Sequence, residues 1–179
     1  GGGPAIAGRA RRVEQALSRA AAGAGGLLDA RRANHGFGRE GMWACCQPAV
    51  VKARELLADA AIGEVRSVQA DLGVVRGFDP ADRMFAYELG GGTMLDLGVY
   101  VVSFAQMVLG TPTSVSVHGA LEPSGVDAEA SLLLGFPEGR TATLMCSFHS
   151  PMPGHARSFG SPGWIDVTPR FHHPHSIVL

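Results

Sequence analysis

Lysine is nearly missing from this chain of 179 residues: Lys52 is the only one, and arginine supplies the rest of the 15 Lys and Arg. With 16 Asp and Glu the formal net charge is -1, so there is no basic field to draw in nucleic acid or an acidic surface. Cysteine is scarce too: Cys45 and Cys46 are adjacent and Cys146 stands alone. That is neither a disulfide framework nor a zinc pattern. Reduced thiols in an intracellular protein are the simple expectation. No unbroken apolar run reaches the ~18 residues of a membrane span. The first residues lack the layout of a secretion signal. These absences lead us to expect a soluble, cytoplasmic protein with no membrane and no nucleic-acid partner. Two things are abundant. Apolar residues make up 46% of the chain, ample for a core. Glycine, at 25 residues, stands at roughly twice its usual share.

Periodicity along the chain predicts helices first and strands later. Residues 9 to 22 read as an amphipathic helix, with Val13, Ala16, Leu17 and Ala20 on one stripe. Gly23 to Gly26 ends it, and a short helical piece follows over Leu27 to Ala33. Asn34 to Arg39 makes a poor strand, with two glycines and little apolar content. Pro48 suits the first turn of a helix running to about Ala60, with Val51, Leu56 and Leu57 as its apolar side. Glu64 to Val74 alternates as a strand, and residues 76 to 89 read as a loop. A long helix then runs to Leu109. After Pro112 the period becomes two: Val115 and Val117, then Ala128, Ala130, Leu132, Leu134 and Phe136. Pro137-Glu138-Gly139 is a turn, so Thr141 to His149 should pair antiparallel with the preceding run. Ala156–Phe159, Trp164–Val167 and Ser176–Leu179 are shorter strands. The expected class is α+β: a largely antiparallel open sheet with helices on one face.

The segment Gly90-Gly91-Gly92-Thr93-Met94-Leu95-Asp96-Leu97-Gly98-Val99-Tyr100 carries the chemistry. Residues four apart share a helix face, so Asp96 and Tyr100 can meet one partner together. Tyr, with a reference pKa of about 10, needs a positioned charge to exchange protons near neutrality. The same spacing also fits an Asp favoured by the helix dipole and a Tyr packed in a core. Spacing alone leaves both readings open. Arg83, in Asp79-Pro80-Ala81-Asp82-Arg83, lies just upstream. Its guanidinium suits a substrate hydroxyl or a cofactor phosphate, and equally a solvated loop. Phe171-His172-His173-Pro174-His175 offers histidines without cysteine or carboxylate at ligand spacing. An exposed strand edge fits it better than a metal site, and no metal is expected.

GGGTMLDLGVYVVSFAQMVLG resembles the helix that opens the substrate domain of Gfo/Idh/MocA oxidoreductases, closest to the dihydrodiol dehydrogenase-like branch. Four further segments resemble that branch in the same order. They are Glu40-Gly41-Met42-Trp43 with Pro48, Leu56 through Gly73, Gly139 to Leu144, and Gly163-Trp164-Ile165-Asp166-Val167. The resemblance covers roughly residues 40 to 179. It implies a substrate and dimerisation domain over 40–179 and a degraded, Rossmann-type remnant of a nucleotide-binding domain over 1–39. It implies hydride transfer between NAD or NADP and a sugar-like or cyclic diol. Tyr100 would exchange the proton, Asp96 would be its electrostatic partner, and a homodimer would form through the sheet. Trp43 would line the substrate pocket or cofactor edge, or pack as an aromatic at a domain seam. In relatives of this kind a basic residue often stands two positions after that Trp; here it is Cys45.

The family's glycine-rich phosphate turn and its catalytic lysine segment have no counterpart in this sequence. Gly23-Ala24-Gly25-Gly26 follows a helical run, not a strand. The expectation is therefore a fragment of an enzyme, truncated at both ends and inactive alone. The competing reading is a non-catalytic sheet module that keeps dimerisation or small-polyol binding. The missing phosphate turn predicts weak or no binding of NAD(P)H by this chain alone. Titration followed by nicotinamide fluorescence checks it; micromolar binding with a blue shift would overturn it.

Overall fold

The computed structural model describes residues 25, 26, 29, 32, 33 and 41–179. The expected helix over 9 to 22 and the poor strand over Asn34 to Arg39 lie outside them. Two compact units part between Met42 and Trp43. In the first, the described residues are helical at 25, 26, 29, 32 and 33. Asp29 and Arg32 pair there at 3.0 Å on an exposed face.

The second unit opens with a 3-10 turn, Trp43–Cys46, and helix α1, Pro48–Ala58. Pro48 sits in the first turn, where its missing N–H is no loss. Val50 and Ala53 are the buried positions of α1, in place of the expected Val51, and Leu57 packs partly against the same core. The helix stops at Ala58, two residues short of expectation, because Ala60 turns to a left-handed φ of 53°. Gly63, also left-handed, leads into β1, Val65–Gly73.

A short 3-10 turn at Tyr87–Leu89 precedes the glycines. The next segment is not one uninterrupted α-helix. Met94–Gly98 forms a π-turn, and α2 follows over Val99–Leu109. Gly98 permits it, since a Cβ there would come within 2.8 Å of the Met94 sulfur. Contrary to the reading of the sequence, Tyr87–Leu109 does have the length and apolarity of a membrane span. Its Val101, Phe104, Ala105 and Leu109 are instead buried in the core.

The strands β2 (Ser114–Leu121), β3 (Asp127–Gly135), β4 (Thr141–Ser147), β5 (Ala156–Gly160), β6 (Trp164–Val167) and β7 (Ile177–Val178) complete the fold. Together with β1 they make one seven-stranded sheet in the order β2-β3-β4-β1-β5-β6-β7. Only β1 and β4 run parallel; the other pairings are antiparallel. The hairpin from β3 to β4 turns at Pro137–Gly139 as its sequence predicts. Alternation sends Val68, Ala70 and Leu72 of β1 inward with Leu132, Leu134, Ala142 and Leu144. They share one core with the inner faces of α1 and α2. The opposite face carries Gln69, Ser131, Thr141 and Thr143, with Leu133, Met145 and Trp164 exposed among them.

The two glycines that lead into the helix are tightly enclosed. A Cβ on Gly91 would lie 2.6 Å from the Met84 carbonyl oxygen, and one on Gly92 2.3 Å from Oδ1 of Asp127. Gly92 also holds φ +111°. Gly77, by contrast, has open space around it. Gly92→Ala should therefore cost about 2–4 kcal/mol and Gly77→Ala about 0.5 or less. Urea unfolding of both variants checks this; equal midpoints would be the contrary result.

Candidate active site

The site is built on the start of α2. Asp127, at the head of β3, accepts a hydrogen bond from the Met94 N–H at 2.5 Å. A carboxylate at the start of a helical segment is favoured by the free N–H groups there. The Arg83 loop is shaped by its own aspartates: Asp79 accepts from the Ala81 N–H and Asp82 from the Met84 N–H, both at 2.9 Å. Phe85, buried, pins that loop between Phe78 and Phe148, with ring centroids 5.4 and 5.6 Å away. Arg83 thereby reaches Asp96, its NH2 lying 3.5 Å from Oδ1. With Arg83 56% exposed the pair contributes little to stability. Its consequence is to place opposite charges side by side at the helix start.

One turn further on, Tyr100 receives a hydrogen bond at 2.9 Å from the indole N–H of Trp43. Among the described residues no hydrogen bond joins Asp96 to Tyr100. The structure thus sorts the sequence-derived residues into two pairs, Arg83 with Asp96 and Trp43 with Tyr100, along one helix. Beneath Tyr100 lies an apolar recess lined by Cys45, Val50, Ser103, Phe104, Met107 and Phe171. The Cys45 sulfur sits 3.8 Å from the Ser103 hydroxyl. The position where relatives often carry a basic residue is thus occupied by a small side chain against a hydroxyl.

The histidine run is not an exposed strand edge. Phe171, buried, packs on Phe104 of α2 at 5.7 Å and carries the run inward. His172 then lies 5.2 Å from the Tyr100 ring and edge-on to Trp43 at 5.8 Å. His173 stacks on Trp43 at 5.9 Å, with 15° between the planes. Burial, aided by the neighbouring His173 and Arg170 charges, pushes His172 down to about 4. It is therefore neutral at ordinary pH. Burial likewise pushes the Cys146 thiol up to about 11, which removes it as a nucleophile. Among the described residues no group of three or more His, Cys, Asp or Glu is placed to hold a metal ion.

The sequence reading set His172 and His173 on an exposed strand edge, away from the site, and did not single out Asp127. The one signal for the histidines was Phe171, an apolar anchor inside a polar run. Asp127 carries no signal at all, because its partner is 33 positions away.

This chain matches the model of the GFO/IDH/MocA C-terminal domain over residues 50–166. It is 34% identical to trans-1,2-dihydrobenzene-1,2-diol dehydrogenase of Xenopus tropicalis, over 93% of this chain and 50% of that protein. The Mus musculus enzyme of the same name is 31% identical, over 90% and 48%. Among solved structures, aldose-aldose oxidoreductase from Caulobacter crescentus, complexed with glycerol, superposes with a TM-score of 0.81 at 26% identity, covering 87% of this chain and 48% of that one. Levoglucosan dehydrogenase, in complex with NADH and levoglucosan, shares the fold at TM-score 0.78 and 19% identity, covering 87% and 46%. The chain spans about half the length of the curated relatives it matches. With two helices packed on one face of an open sheet and a matching family model over most of its length, this chain belongs to the GFO/IDH/MocA family, as its C-terminal domain.

Proposed function

We propose that this chain is the substrate domain of an NAD(P)-dependent dehydrogenase acting on a sugar-like or cyclic diol, with Tyr100 as its proton-transfer group. The observation that carries the proposal is the Tyr100 hydroxyl, held at 2.9 Å by an indole on an aromatic surface at the start of α2. Residues 40–179 are the substrate and dimerisation domain in this reading, and 1–39 a remnant of the nucleotide domain. A cytoplasmic homodimer paired through the open sheet face completes it. The matched enzymes support a hydroxyl-bearing substrate: one is a diol dehydrogenase by name, and two solved neighbours hold glycerol and levoglucosan.

The described residues do not form a dinucleotide cradle. At the one glycine-rich helix start the space is filled by the Asp127 carboxylate and the Met84 carbonyl, and a phosphate there would face like charge. In a complete enzyme NAD or NADP supplies or accepts the hydride. This chain's residues handle the proton and the hydroxyls. Tyr100 donates its phenolic proton to the carbonyl oxygen of the substrate, or takes the alcohol proton back in the oxidative direction. Arg83 has donors for a neighbouring substrate hydroxyl, and Asp96 holds Arg83 in place while balancing its charge. Neutral His172 keeps the wall beside Tyr100 uncharged. This is a set of surfaces for a neutral polyol.

Three outcomes are expected. In a two-domain enzyme reconstituted with a nucleotide-binding domain, Tyr100→Phe should lower turnover by about 10²-fold with a smaller change in KM; wild-type turnover in that variant would end the assignment. Light scattering across a concentration series should show dimers, and a strict monomer at high concentration would count against the sheet interface. The third outcome concerns pH. His172 binds its proton less readily folded, at about 4, than at its ordinary 6.5. The stability it confers is thus complete above about 6.5 and is lost as pH falls toward 4. Thermal melts of wild type and His172→Phe should diverge in slope only across that interval; parallel slopes would refute it.

A further inference from the structure

We propose that Trp43 is a positioning residue for proton transfer: its indole N–H, donated to the Tyr100 oxygen, sets where the phenolic proton points and stays on that oxygen once the proton has left. The inference rests on the hydride-transfer reading above and assigns a role to the ring cluster around it.

An indole nitrogen is only ever a donor. At 2.9 Å the Tyr100 oxygen must therefore be the acceptor. With that side of the hydroxyl taken, its own hydrogen has to turn away from Trp43 and toward the open side. Trp43 is 45% exposed and rides on a four-residue 3-10 turn, so its own element does little to hold it. The holding comes from the histidines. His173 lies flat on the indole, and His172 meets it edge-on while leaning on the Tyr100 ring. Both follow Phe171, which is fixed on Phe104, and Phe104 and Tyr100 belong to the same helix. Clamp and tyrosine thus share one base. Nδ1 of His172 is buried without a hydrogen-bond partner, so this ring acts by contact and does not compete for the phenol.

When hydride reaches a carbonyl carbon, the carbonyl oxygen takes the Tyr100 proton. The electron pair of the broken O–H bond stays on the phenolate. The indole N–H then faces an anionic oxygen in place of a neutral one, and hydrogen bonds to charged acceptors are the stronger kind. The gain arises only as charge develops, which is the condition for lowering the barrier without tightening substrate binding.

The chain contains two tryptophans, Trp43 and Trp164, so its indole N–H resonances can be told apart by one substitution. In Tyr100→Phe the Trp43 indole proton should move upfield and exchange with water roughly fivefold faster, while that of Trp164 stays put. An unmoved Trp43 signal overturns the proposal. In the reconstituted enzyme, Trp43→Phe keeps a ring and loses the donor. It should lower kcat about tenfold with KM nearly unchanged, and add nothing in a Tyr100→Phe background. An equal loss in both backgrounds means that Trp43 acts by packing alone, and the proposal is wrong. The indole readout needs no turnover, so a lost hydrogen bond is distinguishable from a failure of the hydride-transfer reading.

Discussion

The contact between Asp127 and the Met94 N–H is the constraint on which the site depends. It ties the first residue of a sheet strand to the first turn of the helix that carries Asp96 and Tyr100. Gly92 has to be glycine because that carboxylate occupies the place of its side chain. Gly91 has to be glycine because the backbone before it passes just as close. The Arg83 loop is thereby pressed against the helix start, and Arg83 comes within reach of Asp96. One half-buried carboxylate, two small residues and a π-turn together set where the helix begins and how it is rotated. The face that carries Asp96 and Tyr100 follows from that rotation.

Charge around the site is arranged in cancelling pairs. Arg83 is matched by Asp96, His172 is held neutral by burial, and Trp43 offers a proton without a charge. The surface so formed offers hydrogen-bonding groups and apolar ring faces with its charges matched. The clamp on Trp43 is made of rings for the same reason: stacked and edge-on contacts orient a side chain without adding a charge to the pocket.

Much of this was legible in the sequence, and the failures have physical causes. Period-two alternation over Ala128 to Phe136 marks β3 because one face is buried and the other is not. The turn at Pro137–Gly139 then dictates an antiparallel β4. The end of α1 was misjudged because Ala60, a residue that seldom takes a left-handed φ, does so in a local cap where the Ala61 N–H bonds back to the Leu56 carbonyl. The π-turn at Met94–Gly98 was invisible, since π and α share a periodicity over so few residues. At the site, Trp43, Arg83, Asp96 and Tyr100 could be named one by one. Their pairing could not, because Trp43 and Tyr100 are 57 positions apart in the chain. The histidines looked like surface because their local composition is polar. A single phenylalanine beside them, docked on a distant helix, sets His172, half-buried, against Tyr100 and His173 against Trp43.

The central strand has a further consequence. β1 is flanked by β4 on one side and β5 on the other, and both follow it in the chain. Made on a ribosome, β1 emerges with neither neighbour yet synthesised and both edges open. Two helices border the same core: α1, made before β1, and α2, made after it and packed on β1 directly. The β2–β3–β4 meander, joined by short turns, brings β4 to one edge of β1. The helix that bears Tyr100 therefore lies between β1 and both of its sheet neighbours in chain order, and it packs on the strand those neighbours flank.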